Sequence, residues 1–236
     1  MARYAAIDCG TNSLRLLISE DNHGRPREIV RLMEIVRLGQ GVDATGEFAP
    51  EALERTRKVL TKYVDLMQQE RVQDVRMVAT SATRDARNKD EFFAMTAELL
   101  GQIRPGACAQ VITGEEEAKL SFIGAVAYLS KEQGPFCVID LGGGSTEFVV
   151  GVAGGQLLGS YSSQMGCVRI SERIMQSDPP TPEEVEAARQ YVAERLAEVQ
   201  EIVPIASAKT FVGCAGTFTT IAALVLGLEK YEPKAI

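Results

Sequence analysis

Two stretches of the chain share one plan, and that plan leaves few folds open. AAIDCGTNSLRLLI (5–18) and CVIDLGGGSTEFVV (137–150) each run an apolar strand into an aspartate, a Gly-containing turn with a serine, and a second apolar strand. Their aspartates, Asp8 and Asp140, lie 132 positions apart (140 − 8). Short apolar runs bounded by such turns read as β-hairpins. Behind each hairpin, strand patterns alternate with helical ones, which is the mark of an α/β fold. The expectation is two similar α/β subdomains, each a mixed sheet flanked by helices, facing an interdomain cleft.

The remaining segments fill this plan. EIVRLMEIVRLG (28–39) extends the first sheet, and 50–70 is a helix with Leu53, Val59, Leu60, Tyr63, Val64 and Met67 at helical spacing. Strands are expected at 75–80 and 109–113, with a helix at 88–101 between them. Thr113 with Glu116 forms a capping-box pattern opening a helix over 114–131, which buries Ala118, Phe122, Ala125 and Leu129. That helix is the expected crossing between subdomains at 1–125 and 126–236. After the second hairpin come a strand (156–163), a short helix (166–176), and a helix starting at Pro182 with Thr181 and Glu184 as its capping box. A strand (209–213) and a helix (217–228) follow.

Composition removes several kinds of function. A formal charge of −7 argues against a general DNA or RNA binder. The longest apolar stretch, IAALVLGL (221–228), is too short to span a bilayer. MARYAAID lacks the layout of a signal peptide, so a cytoplasmic location is expected. The five cysteines form no CxxC pair and read as reduced, small core residues. The one histidine, His23, lies in DNHGRP, a turn by composition. A Ser-His-Asp triad, a Cys-His pair and a multi-histidine metal site all need more than this. Chemistry therefore falls to carboxylates, backbone amides and a hard cation.

The turns Gly10, Thr11, Asn12, Ser13 and Gly142, Gly143, Gly144, Ser145 offer runs of backbone N–H groups and hydroxyls, which suit phosphate oxygens. Two facing clamps would suit a polyphosphorylated ligand. Asp8 and Asp140 each end a strand beside such a turn, where Mg²⁺ takes one or two carboxylates plus phosphate oxygens and water. Strand alternation puts Glu147 on the face of Ser145, as a further carboxylate for the metal. In TGEEEAKLSF (113–122) Glu115 and Glu116 serve the helix dipole, whereas Glu117 precedes the apolar face and is placed to orient or deprotonate water. Arg84 follows a buried strand into a Ser/Thr-rich loop, a place for a phosphate contact. Arg87, Lys89, Arg169 and Arg173 complete the candidates for a local basic track, and GCAGT (213–217) is a further candidate anion site.

With these residues in hand, the chain resembles the exopolyphosphatase and guanosine pentaphosphate phosphohydrolase (Ppx/GppA) family, of the actin, Hsp70 and sugar-kinase superfamily with its ribonuclease H-like subdomains. AAIDCGTNSLRLLI, ATSATRDARN, ITGEEEAKLSFIGA, VIDLGGGSTEFVVG, MGCVRISE and VGCAGTFTTIAAL carry the resemblance in family order, over essentially the whole chain. The resemblance implies that Glu117 is the catalytic glutamate, that Asp140 and Glu147 are the acidic positions around metal and phosphates, and that Arg84 contacts phosphate. It implies release of terminal phosphate from polyphosphate or guanosine pentaphosphate with Mg²⁺ (or Mn²⁺). The expected partners are that substrate and, for self-association, a homodimer, with no nucleic acid and no membrane. A non-catalytic polyphosphate or nucleotide sensor and an ATP-dependent small-molecule kinase are the alternatives.

Overall fold

The computed structural model describes residues 1–22, 25–232 and 235–236. His23 lies outside them. The chain divides into two compact units, Met1–Ile112 and Thr113–Ile236.

In the first unit, β1 (Arg3–Cys9), β2 (Ser13–Asn22), β3 (Arg25–Ile35), β4 (Asp74–Ala79) and β5 (Ala109–Val111) form one sheet in the order β3-β2-β1-β4-β5. The first three strands pair antiparallel, and β4 and β5 join in parallel. Along β2 every second residue is buried, so Leu14, Leu16 and Ile18 enter the core beside Ile7 and Cys9. Helix α2 (Pro50–Gln69) buries the stripe expected of it, including Leu60, Tyr63, Val64 and Met67, and the Tyr63 hydroxyl donates to the Leu14 carbonyl at 2.9 Å. A short α1 (Val42–Thr45) precedes it, and α4 (Lys89–Leu100) covers the sheet further on. The expected loop around Arg84 is a helical turn, α3 (Ser81–Asp85), in which Ser81, Ala82 and Thr83 are buried.

The second unit repeats the order with four strands. β6 (Phe136–Leu141), β7 (Thr146–Val152), β8 (Gln156–Ser163) and β9 (Thr210–Cys214) run β8-β7-β6-β9. β7 is buried along almost its whole length. Helix α5 (Gly114–Val126) covers one side through Ala118, Phe122 and Val126. Helix α7 (Pro182–Ile202) covers the other, where Val199 packs with Cys137, Phe148 and Val150. A strand buried on both faces reads as a continuous apolar run, as TEFVVGV does apart from Thr146 and Glu147. The short α6 (Cys167–Arg173) follows β8, and α8 (Ala215–Val225) follows β9.

Two expectations shift here. Helix α5 stops at Val126 instead of 131, because Ser130 and Gln133 build a capping box for a separate 3₁₀ turn at Lys131–Gln133. The compact division precedes α5, whose Ala118, Phe122 and Val126 pack in the second unit. The cysteines divide as well: Cys9 and Cys137 are buried, but Cys108 and Cys167 are exposed. Burial pushes the Cys137 thiol up to about 11.

Ala215 opens α8 at φ 70, a left-handed conformation that its Cβ disfavours. Ala215→Gly is expected to raise stability by about 1 kcal/mol in urea unfolding. An unchanged or lowered midpoint would mean that the methyl group packs well enough to offset the strain.

Candidate active site

The two hairpins close alike and are charged differently. Gly10 N donates to Ser13 O and Gly142 N to Ser145 O, each at 3.0 Å. Register sets Asp8 opposite Arg15 on β1 and β2, and Asp140 opposite Glu147 on β6 and β7. Residues directly opposed in an antiparallel pair share a face, with Cβ atoms about 5 Å apart. The first copy therefore neutralises itself, Arg15 Nη1 lying 3.7 Å from Asp8 Oδ2. The second sets two carboxylates against each other, an arrangement that is destabilising by itself.

Glu147 is the more constrained of the two. It is 1% exposed, and its Oε1 accepts from Ser145 Oγ at 2.9 Å and Ser162 Oγ at 2.7 Å. Burial, then the charge of Glu117, then that of Asp140 raise its titration to about 8, while the two hydroxyls pull the other way. Without a counter-charge this group holds a proton at neutral pH.

Helix α5 brings the third carboxylate. Thr113 Oγ1 accepts from Glu116 N at 3.1 Å and fixes the helix start. A Cβ on Gly114 would lie 2.5 Å from the Ser162 Cβ. The glycine thus lets the first turn press on β8, one position opposite Glu147 in register. Glu117 and Ser121, four apart on one helix face, then reach the same hairpin. Glu117 acts on Glu147, and Ser121 Oγ donates to Asp140 Oδ2. Glu117, Asp140 and Glu147 are brought together within the second unit, among the hydroxyls of Ser121, Ser145 and Ser162.

The profile of the Ppx/GppA phosphatase family covers residues 17–232. The chain belongs to the Ppx/GppA phosphatase family. It is 54% identical over 240 residues to Exopolyphosphatase 2 of Mycobacterium tuberculosis, with 100% of this chain and 75% of that protein covered. A crystal structure of an exopolyphosphatase-like protein superposes with a TM-score of 0.90 at 40% identity, covering 100% of this chain and 73% of that one. The Aquifex aeolicus Ppx/GppA family member gives 0.75 at 35% identity, with 100% and 73% covered.

Other site candidates in this Ppx/GppA chain lie as follows. Gly10, Thr11, Asn12 and Ser13 form the first turn, with Thr11 buried. In the second turn the Ser145 hydroxyl is engaged by Glu147, so its backbone amide is what it can offer a ligand. Arg84 Nη1 donates to the Ile112 carbonyl at 3.0 Å. Arg87 is tied to Glu47 and the Thr45 carbonyl, which makes it a brace for the α1 turn. Arg169 Nε donates to the Gly144 carbonyl at 2.7 Å. At GCAGT, Gly213 makes room for the ring of Phe218, whose Cδ1 would lie 2.3 Å from a Cβ there. Packing accounts for that glycine.

Sequence reasoning missed Ser121, Ser162 and Gly114. Ser121 was recoverable as the residue one turn beyond Glu117 on α5. Ser162 was not, since its register with Glu147 passes a bulge between Val150 and Gly151.

Among the described residues, no group of three or more His, Cys, Asp or Glu side chains converges into a ready-made metal cage. Mg²⁺ asks for less, binding through one or two carboxylates with water and phosphate oxygens. Asp140 opposite the buried Glu147 fits that demand, because a cation relieves the repulsion their register imposes.

Proposed function

We propose that this chain is an exopolyphosphatase-type phosphohydrolase that removes the terminal phosphate of inorganic polyphosphate. The observation that carries the reading is the meeting of Glu117 with the mutually repelling Asp140 and Glu147 beside the Gly142–Ser145 turn. The similarity to Exopolyphosphatase 2 supports the choice of substrate. Asp140 and Glu147 would hold Mg²⁺ or Mn²⁺, which, when bound, neutralises charge on the phosphate oxygens. The backbone amides of the turn bind and orient the terminal phosphate. Glu117 orients a water molecule and accepts its proton as the water oxygen bonds to the terminal phosphorus. The bond from that phosphorus to the bridging oxygen breaks, and the bridging oxygen leaves on the shortened chain. Positioning and charge compensation supply most of the acceleration in such transfers. The terminal phosphate of guanosine pentaphosphate presents the same bond and is proposed as a second substrate.

The test is phosphate release from polyphosphates of several lengths, guanosine pentaphosphate and ATP, with Mg²⁺ and after chelation. Release from polyphosphate that stops on chelation is expected. Tight binding without release would point to a sensor, and phosphate transfer from ATP to a small acceptor would point to a kinase.

A further inference from the structure

The carbonyl oxygens of both turns are captured from behind. In the first unit, Thr11 O accepts from Gly39 N at 2.8 Å, and Asn12 O accepts from Val36 N and Arg37 N at 3.0 and 2.9 Å. In the second, Gly142 O accepts from Cys167 N at 3.1 Å, and Gly143 O accepts from Val168 N and Arg169 N at 2.9 and 3.1 Å. The peptide bonds of both turns are trans. In a trans peptide the N–H points opposite to the C=O. Holding each carbonyl on one side therefore turns the following amide to the other side, and a run of amides faces one way.

The copies differ in what holds the oxygen just before the serine. Aligned on their aspartates, Asn12 corresponds to Gly144. The Asn12 carbonyl is held by two backbone amides, whereas the Gly144 carbonyl is held by the Arg169 side chain. The segment carrying Arg169 lies directly on the turn. A Cβ on Gly166 would sit 2.4 Å from both C and O of Gly143, and Thr146 Oγ1 donates to the Met165 carbonyl behind it.

We infer that Arg169 is a positioning residue whose guanidinium sets the Gly144–Ser145 peptide so that the Ser145 amide faces the bound phosphate. A triple glycine has the widest backbone freedom of any tripeptide, so its last peptide needs an external hold. A charged donor gives a shorter and stronger bond than a neutral amide. The inference rests on the reading of this turn as a phosphate-binding site.

Amide NMR of the full chain, titrated with tripolyphosphate in the presence of Mg²⁺, tests both. In the wild type the Gly143, Gly144 and Ser145 amides are expected to shift. In Arg169→Met the Ser145 shift is lost while those of Gly143 and Gly144 persist, because backbone amides still hold the carbonyls before them. KM for polyphosphate rises about 10-fold, the scale of one lost charged hydrogen bond, with kcat within about threefold. Arg169→Lys, which retains a charged donor, restores most of the KM. A Ser145 shift and KM unchanged in Arg169→Met would overturn the positioning role. So would equal loss of all three shifts in both variants, which would mark Arg169 as a general support of the fold. Wild-type amides that do not respond at all would instead overturn the phosphate reading of the turn, and the inference with it.

Discussion

Glu117→Gln is expected to lower phosphate release from polyphosphate by about 10²–10⁴-fold, the usual contribution of a positioned general base. Substrate affinity should stay within about threefold. Glutamine keeps the shape and loses the site for the proton. Thr113 still caps α5, and Ser121 still donates to Asp140 from the next turn, so the frame around the missing base stands. The substitution also removes a negative charge acting on Glu147, whose titration should therefore fall from its raised position. Polyphosphate affinity measured separately from turnover decides the matter. If binding falls as far as the rate, Glu117 holds the substrate or the cation and does not serve as a base.

Glu147→Gln is expected to abolish activity and yet stabilise the metal-free protein. The carboxyl titrates at an ordinary 4.5 when unfolded and near 8 in the folded chain. Between these values the unfolded state has released a proton that the folded state retains. Stability is therefore fully present below about pH 4.5 and falls as pH rises through 8. The full shift corresponds to on the order of 2–4 kcal/mol after allowance for relaxation of the buried site. Urea unfolding with a chelator present should show a wild-type decline from pH 5 to pH 8. Glutamine should flatten it and leave the variant the more stable protein at pH 8. Mg²⁺ should raise the stability of the wild type and not of the variant, since a cation that binds only the folded site stabilises it by mass action. A variant that retains the same slope would place the titrating group elsewhere. A buried carboxyl that must give up its proton before it can serve as a charged ligand is one form of the trade between stability and activity.

Much of the frame was legible from one-dimensional patterns. The hairpins, their turns and the common face of Ser145 and Glu147 follow from strand alternation, which is local. The start of α7 is equally local, a capping box in which Thr181 and Glu184 exchange hydrogen bonds with each other's backbone. What escaped depends on contacts between distant segments. Nothing near Glu147 in the chain announces that it is buried, since the cover comes from Ser162 on the next strand and from α5. The fate of Arg169, expected in a basic track, was decided by how closely Gly166 lets its segment approach Gly143. The end of α5 was missed because Ser130 supports a competing turn whose strength is not visible in apolar periodicity.

Inorganic polyphosphate reads the same from either end, so a protein that trims it stepwise must supply all of the asymmetry itself. The hairpins contain such an asymmetry at one aligned position, Arg15 in the first copy and Glu147 in the second. One hairpin sets opposite charges across its strands, and the other sets like charges there. Two identical copies would carry the same charge pattern and offer a cation two equal sites. Reversal of sign at a single strand position removes that tie, and under the proposed function it leaves the second hairpin alone to hold the metal where a directionless polymer is cut.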